Sequence, residues 1–427
     1  MRVIVTNACI SGSDIPLSES FTLTSVMNEV SLSQVTIIAF CTVLPCNPNC
    51  YSGILVSVLM CGCFVLRFIP VWFSPATLLV LFVVSVPGGS LAIGFSDAQV
   101  AATEGRYDEV VSILTAVIEK GELEGEAKVI AFSNRGVAYS LLKKYPQGKR
   151  DLLQAIELDP DHQLTINHLG IMAQHVDADY RAAAVWYRRA AATGYPASQT
   201  NLAMLYKEGL GVEKDSKKAF SLYEMAAAEE YVMAYVPLGE LYMQGIGVNK
   251  DYGAGLIWIN KGAKAGVISA HYHLGLAYEN GRGVAPSARQ AADEYYRAAM
   301  QGHGKAQNAL GYLYQRGNGV PQDYIKAVEW YQLASDQGVM QATNRLAWLL
   351  ATCPTERVCN GALALQLAKS AVDDERTPTN LDSLAAAYAR SGDYETAITT
   401  VKEIIQMGSQ RYASRLDLYQ QGKPFQL

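Results

Sequence analysis

The sequence predicts an all-α protein, a right-handed α-solenoid built from antiparallel helix pairs. Three observations predict it. Between residues 197 and 340 the chain repeats one 36-residue unit four times, starting at Ala197, Met233, Ser269 and Lys305. A fixed period in this range marks stacked helical pairs. Apolar residues recur within each unit at i and i+4, the spacing of one helix face. Two glycines then stand two apart between the apolar stretches, where a turn between helices belongs.

The first helix of each unit is set by Leu202, Leu238, Leu274 and Leu310, each followed four residues later by Tyr206, Tyr242, Tyr278 or Tyr314. A small residue follows each leucine: Ala203, Gly239, Gly275 and Gly311. Mid-helix glycine costs about 1 kcal/mol against alanine, so its recurrence predicts close approach of a second helix. The Gly-x-Gly-Val segments beginning at Gly209, Gly245, Gly281 and Gly317 end these helices. They are turns and not phosphate cradles, because no strand precedes them and no Gly-Lys-Ser/Thr follows.

Asp215, Asp251, Ser287 and Asp323 come four residues after the second glycine. Their side chains can accept from the free N–H groups of a starting helix, which predicts the N-cap of the second one. That helix carries Tyr223, Trp258, Tyr295 with Tyr296, and Trp330 with Tyr331, then small residues such as Ala226-Ala227 and Ala298-Ala299. Bulk at one level and alanine at another lets neighbouring pairs interlock, so these aromatics are expected in the core.

The pattern LG-x-x-Y, G-x-GV, D, W/Y-x-x-AA resembles the Sel-one-like repeat (SLR) family of α-solenoids. Ser287 in place of aspartate, Pro237 early in a helix, and Glu230 where other units have Gly266, Gly302 and Gly338 are the departures. Upstream, residues 93–160 resemble the tetratricopeptide repeat (TPR), with Gly136, Tyr139, Tyr145, Ala155 and Pro160 at that family's spacings and Gly148 for its usual alanine. Residues 161–196 read as a shortened transitional unit without the Gly-x-Gly turn. Residues 341–427 read as TPR-like pairs, with Ala386, Tyr388, Gly392, Asp393, Tyr394 and Ala397 in order, closed by a C-terminal capping helix.

Residues 1–92 differ in kind. They hold two basic residues, three acidic ones, no lysine, and six of the eight cysteines. The stretch RFIPVWFSPATLLVLFVVSVPGGSLA, residues 67–92, has a basic start, an apolar core and a small-x-small ending. That pattern predicts a secretory signal peptide. Its distance from residue 1 leads to the expectation that translation starts near Met60, Val65 or Leu66. Residues 1–65 would then not belong to the translated protein. The alternative is an inner-membrane anchor, since residues 51–69 and 71–93 approach the roughly 20-residue length of a bilayer span. The expected location is therefore the periplasm or outside the cell. In such a compartment Cys353 and Cys359 are candidates for a disulfide.

The remaining chain is mildly acidic, with 33 basic and 37 acidic residues, and offers no basic stripe for nucleic acid. None of the linear hydrolase, nucleotide-binding or zinc-peptidase motifs occurs in the repeats. No catalytic residue, metal or cofactor is expected. His271 and His273, two apart on a helix, point to different faces.

On the first helix, unit positions 1, 5, 8 and 12 share one face. Asn201, Glu208, Glu240, Gln244, His273, Asn280, Tyr312 and Arg316 lie there. The resemblance implies that this face lines the concave groove of the superhelix and binds a protein or peptide. Carboxamides and hydroxyls suit the backbone groups of an extended chain. The expected function is a non-catalytic interaction scaffold of the bacterial envelope, with some relatives acting in host contact. The competing class is a hydrolase of β-lactam or cell-wall substrates, which the absence of a serine–lysine motif disfavours.

Overall fold

The computed structural model describes residues 89–352 and 355–427 of the 427-residue chain. Nineteen α-helices and no strand occur among the described residues. They alternate as first and second members of pairs. The leading pairs are α1 (Gly89–Thr103) with α2 (Tyr107–Glu119), α3 (Gly125–Leu141) with α4 (Tyr145–Leu158), and α5 (Gln163–His175) with α6 (Tyr180–Ala192).

The 36-residue units supply α7 (Pro196–Glu208) with α8 (Ser216–Ala228), α9 (Tyr235–Gln244) with α10 (Tyr252–Lys264), α11 (Ile268–Asn280) with α12 (Ala288–Met300), and α13 (Gly304–Arg316) with α14 (Tyr324–Asp336). Then follow α15 (Met340–Thr352) with α16 (Gly361–Asp374), α17 (Pro378–Arg390) with α18 (Tyr394–Gln406), and the single α19 (Ala413–Gln420). Residues 1–88, which carry the expected membrane spans and most of the signal pattern, fall outside the described residues. Helix α1 starts within the small-residue ending of that pattern. No helix among the described residues is long and apolar enough to cross a membrane.

The local signals act as the sequence predicts. Gly209, Gly245, Gly281 and Gly317 take left-handed φ of 77°, 74°, 64° and 66° and end their helices. The side chains of Asp215, Asp251, Ser287 and Asp323 accept from the N–H of Lys218, Ala254, Gln290 and Lys326 at 3.0, 2.9, 3.3 and 3.0 Å. Each such cap stabilises a helix by about 1 kcal/mol. The second glycine of each turn lies against the preceding repeat: a Cβ on Gly247 would stand 2.0 Å from the Ser216 carbonyl oxygen. A side chain there would push successive pairs apart.

The mid-helix glycines are sockets. A Cβ on Gly170, Gly275 or Gly311 would come within 2.5, 2.5 and 2.8 Å of the rings of Tyr187, Tyr295 and Tyr331. Those three tyrosines are completely or almost completely buried. Their hydroxyls donate back to the first helix, Tyr187 to Gln174 Oε1 at 2.9 Å, Tyr295 to Glu279 Oε2 at 2.5 Å and Tyr331 to Gln315 Oε1 at 2.8 Å. Burial raises all three phenol pKa values, so each stays a donor. One buried ring thus supplies both packing and a satisfied polar end.

Successive pairs share their cores. Ala173 of α5, Tyr187 of α6, and Leu202 and Leu205 of α7 form one cluster; Ala291 and Tyr295 of α12 join Leu310 and Leu313 of α13 in another. No pair buries its apolar face alone, which is the physical reason a solenoid needs neighbours.

Three details depart from a uniform repeat. Pro237 lacks an N–H, so the entry to α9 is a 3₁₀ turn over Val232–Ala234 and the α-helix begins at Tyr235. The α5–α6 turn lacks Gly-x-Gly, and Ala178 takes the left-handed conformation at φ 53°. Tyr296, expected in the core, is exposed and meets Trp330 edge-on at 6.2 Å. Its neighbour Tyr295 fills the core place instead.

Candidate binding face of the first helices

Counting positions from Ala197, Met233, Ser269, Lys305 and, by continuing the period, Gln341, the stripe splits into two kinds of residue. Position 5 reaches back to the preceding first helix. Asn201 Nδ2 donates to Asn167 Oδ1 at 3.1 Å, and Ser198 Oγ donates to the same oxygen at 2.8 Å. His273 Nε2 lies 3.1 Å from Glu240 Oε1. Arg345 donates to Asn308 Oδ1 at 3.2 Å and covers the Tyr312 ring at 4.8 Å. These are rungs joining repeat to repeat.

Four of the eight stripe residues therefore hold the stack together. Asn201, Glu240 and His273 are only partly exposed, a correction to their reading as a free surface; Tyr312 is exposed at its edge and covered by Arg345. The physical reason is register. Stacking brings position 5 of one unit beside positions 4 and 8 of the last, where polar groups find each other before they find solvent.

Position 12 is different. Glu208, Gln244, Asn280 and Arg316 are all exposed. Glu208 pairs only with its neighbour Lys207 at 3.2 Å, and Asn280 donates to the Leu276 carbonyl of its own helix at 2.9 Å. Gln244 and Arg316 make no side-chain hydrogen bond or ion pair to any described residue. These four stand at the last turn of four successive first helices. They run from an acidic end at Glu208 to a basic end at Arg316.

Toward the N-terminal ends of α11 and α13 lies an aromatic and imidazole cluster that the sequence did not reveal. The Tyr272 ring lies 4.9 Å from His303 and 5.3 Å from His273. Burial lowers the His273 pKa, with Lys305 adding to the effect and Glu240 opposing it. His303 is lowered chiefly by burial, and its Nδ1 accepts from the Ala306 N–H at 3.2 Å. His271 faces the other way, 2.7 Å from Glu294 of α12. The two histidines do point to different faces.

No group of three or more metal-ligating side chains occurs among the described residues. A cavity of about 420 Å³ lies beside the first Gly-x-Gly turn, where Lys218 bridges Asp215 at 3.0 Å and covers Tyr206 at 5.3 Å. Its other charged residues, Arg188, Glu213 and Lys214, bring no histidine, serine or cysteine to it. Cys359 is disulfide-bonded; Cys353, its expected partner, lies outside the described residues.

The Sel1 repeat family model matches residues 167–195, 196–231, 232–267, 268–303 and 304–339. The segment read as a shortened transitional unit is thus a fifth repeat, since Gly170 and Tyr187 keep the socket although the turn is lost. A Sel1 repeat protein from Oxalobacter formigenes is 27% identical, with a TM-score of 0.51 over 56% of this chain and 96% of its own. A protective antigen of uropathogenic Escherichia coli displaying an SLR fold is 24% identical, with a TM-score of 0.44 over 74% of this chain and 76% of its own. An immunity protein from Pseudomonas aeruginosa is 21% identical, with a TM-score of 0.37 over 51% of this chain and 82% of its own. No curated protein sequence matches the chain. The repeated sockets, caps and turns, together with this match, make residues 167–339 five consecutive Sel1 repeats.

Proposed function

We propose that this protein is a non-catalytic adaptor that holds an extended segment of a partner protein along the concave face of its first helices. The observation that carries this is the position-12 series. Among the described residues Gln244 and Arg316 are exposed and unpaired, and Glu208 and Asn280 are exposed and bonded only within their own helix. They recur once per repeat beside the rungs, as an extended chain crossing successive helices requires. Carboxamides can pair with backbone N–H and C=O groups, and the charged ends fix direction.

The test is affinity capture from a bacterial envelope extract, comparing the natural chain with a triple variant Gln244→Ala, Asn280→Ala, Arg316→Ala. Loss of a captured protein from the variant supports the assignment. An unchanged set of captured proteins removes it.

We place the protein in the cell envelope on the signal-like pattern of residues 67–92. N-terminal sequencing of the mature protein is expected to start near Ile93. Peptides from residues 1–55 in the mature protein would contradict that location.

A further inference from the structure

Residues 423–427 turn back onto the fold, with Pro424 and Phe425 half-buried and Lys423, Gln426 and Leu427 exposed. Helix α19 is stopped by Gly422, at left-handed φ 64°, whose N–H donates to the Tyr419 carbonyl at 3.0 Å while Lys423 N–H donates to the Leu418 carbonyl at 3.0 Å. This paired closure is how helices turn their chain sharply aside, and Pro424 then prevents the helix from resuming. The tail returns to α15. Phe425 packs on Trp348 with ring centroids 5.6 Å apart, and the Leu427 N–H donates to the Thr352 carbonyl at 3.3 Å.

Trp348 and Thr352 are position 8 and position 12 of the unit that continues the repeat period. The tail therefore lies along the continuation of the first-helix stripe, against a position-8 ring and a position-12 backbone carbonyl. Arg415 of α19 completes the seat, with its guanidinium 4.5 Å from the Trp348 ring centroid and 4.4 Å from that of Phe425. Its Nη1 donates to Asp382 Oδ1 at 2.8 Å and its guanidinium also lies 5.5 Å from the Tyr412 ring, anchors that do not depend on Phe425. An aromatic ring that touches both an indole and a guanidinium gains ring packing and cation–π attraction.

We propose that the Trp348–Arg415 seat is a docking site for an extended segment bearing an aromatic residue, and that residues 423–427 are its tethered occupant, displaced when such a segment from a partner protein arrives. The proposal rests on the reading of the first-helix face as a binding surface and names one of its subsites. The partner's segment needs an aromatic side chain for Trp348 and, two residues on, a backbone N–H for the Thr352 carbonyl. Tethering gives the tail a high effective concentration, so it excludes weak competitors and yields to strong ones.

The test uses a synthetic peptide of residues 421–427, dye-labelled at its N-terminus, and fluorescence anisotropy. A chain ending at Gly422 keeps α19 and is expected to bind the peptide at least tenfold more tightly than the full chain. A peptide with Phe425→Ala is expected not to bind either chain. Should the shortened chain lose its helical circular dichroism, the full chain carrying Phe425→Ala replaces it. Equal binding by open and full chains, or no binding by a folded open chain, overturns the proposal. So does light scattering that finds the full chain dimeric and the shortened chain monomeric, since the seat would then belong to the tail of a second copy. Failure here leaves the position-12 assignment standing. Peptide binding alongside unchanged capture by the position-12 variant would instead leave the seat and remove the longer face.

Discussion

Gly275 and Tyr295 fit as socket and plug: a Cβ on Gly275 would stand 2.5 Å from both Cδ1 and Cε1 of the buried ring. The ring cannot swing away, because its hydroxyl is held by Glu279 at 2.5 Å and its edge by the core of the next pair. Gly275→Ala is therefore expected to destabilise the protein by about 1–3 kcal/mol, although alanine favours a helix by about 1 kcal/mol. Urea unfolding would show the loss. Adding Tyr295→Leu to the alanine variant should restore part of it, and a neutral Gly275→Ala would show that the socket is not tight.

Glu230 offers the opposite opportunity. It occupies the turn where Gly266, Gly302 and Gly338 take φ of 82°, 83° and 79°, and it is itself held at 57°. A left-handed residue with a Cβ costs about 1–2 kcal/mol, part of which glycine gives back through its freer unfolded chain. Glu230→Gly is expected to raise stability by about 0.5–1 kcal/mol, read as a higher urea midpoint. A lower midpoint would mean that Glu230 makes a contribution its exposed side chain does not reveal.

What the sequence made legible was whatever depends on neighbours along the chain. Gly209, Asp215 and Gly275 act on residues within their own unit, so their spacing alone disclosed the turn, the cap and the socket. The rungs were hidden because Asn201 meets Asn167, and Arg345 meets Asn308, only after the repeats stack in one register. Half of the predicted stripe was reassigned for that reason. Trp348 was within reach, since continuing the period to Gln341 puts it at position 8. Its contact with Phe425 was not, because nothing in the spacing of the tail reveals where a chain turned aside at Gly422 comes to rest. The fifth repeat was seen but underrated, because a missing turn is conspicuous in a sequence and a preserved socket is not.

His168 lies in the repeat over residues 167–195, directly before Leu169, and burial lowers its pKa from 6.5 to about 4. The unfolded chain takes up a proton as pH falls through 6.5, while the folded chain resists until about 4. The stabilising contribution is thus present above pH 6.5 and is lost progressively between 6.5 and 4, by on the order of 3 kcal/mol at most. His162, His273 and His303 are lowered too and act in the same direction, whereas Asp382, raised by burial to about 7, acts in the opposite one over the same range. Melting temperatures of the natural chain and His168→Gln across this range isolate the one residue. The two curves are expected to converge toward pH 4, and parallel curves would show that His168 is not the group involved.

Arg345 and Arg316 test the division of the face into rungs and free ends. Arg345 is half-buried, satisfies the buried Asn308 and covers Tyr312. Removing it leaves a buried carboxamide oxygen without its donor, so Arg345→Ala is expected to cost about 1–3 kcal/mol. Arg316 is exposed and touches no acidic partner among the described residues, so Arg316→Ala should stay within about 0.5 kcal/mol of the natural chain. Thermal unfolding measures both. If the two variants melt alike, the position-5 contacts do not join the repeats, and Asn201, Glu240 and His273 return to the set of residues free to meet a partner.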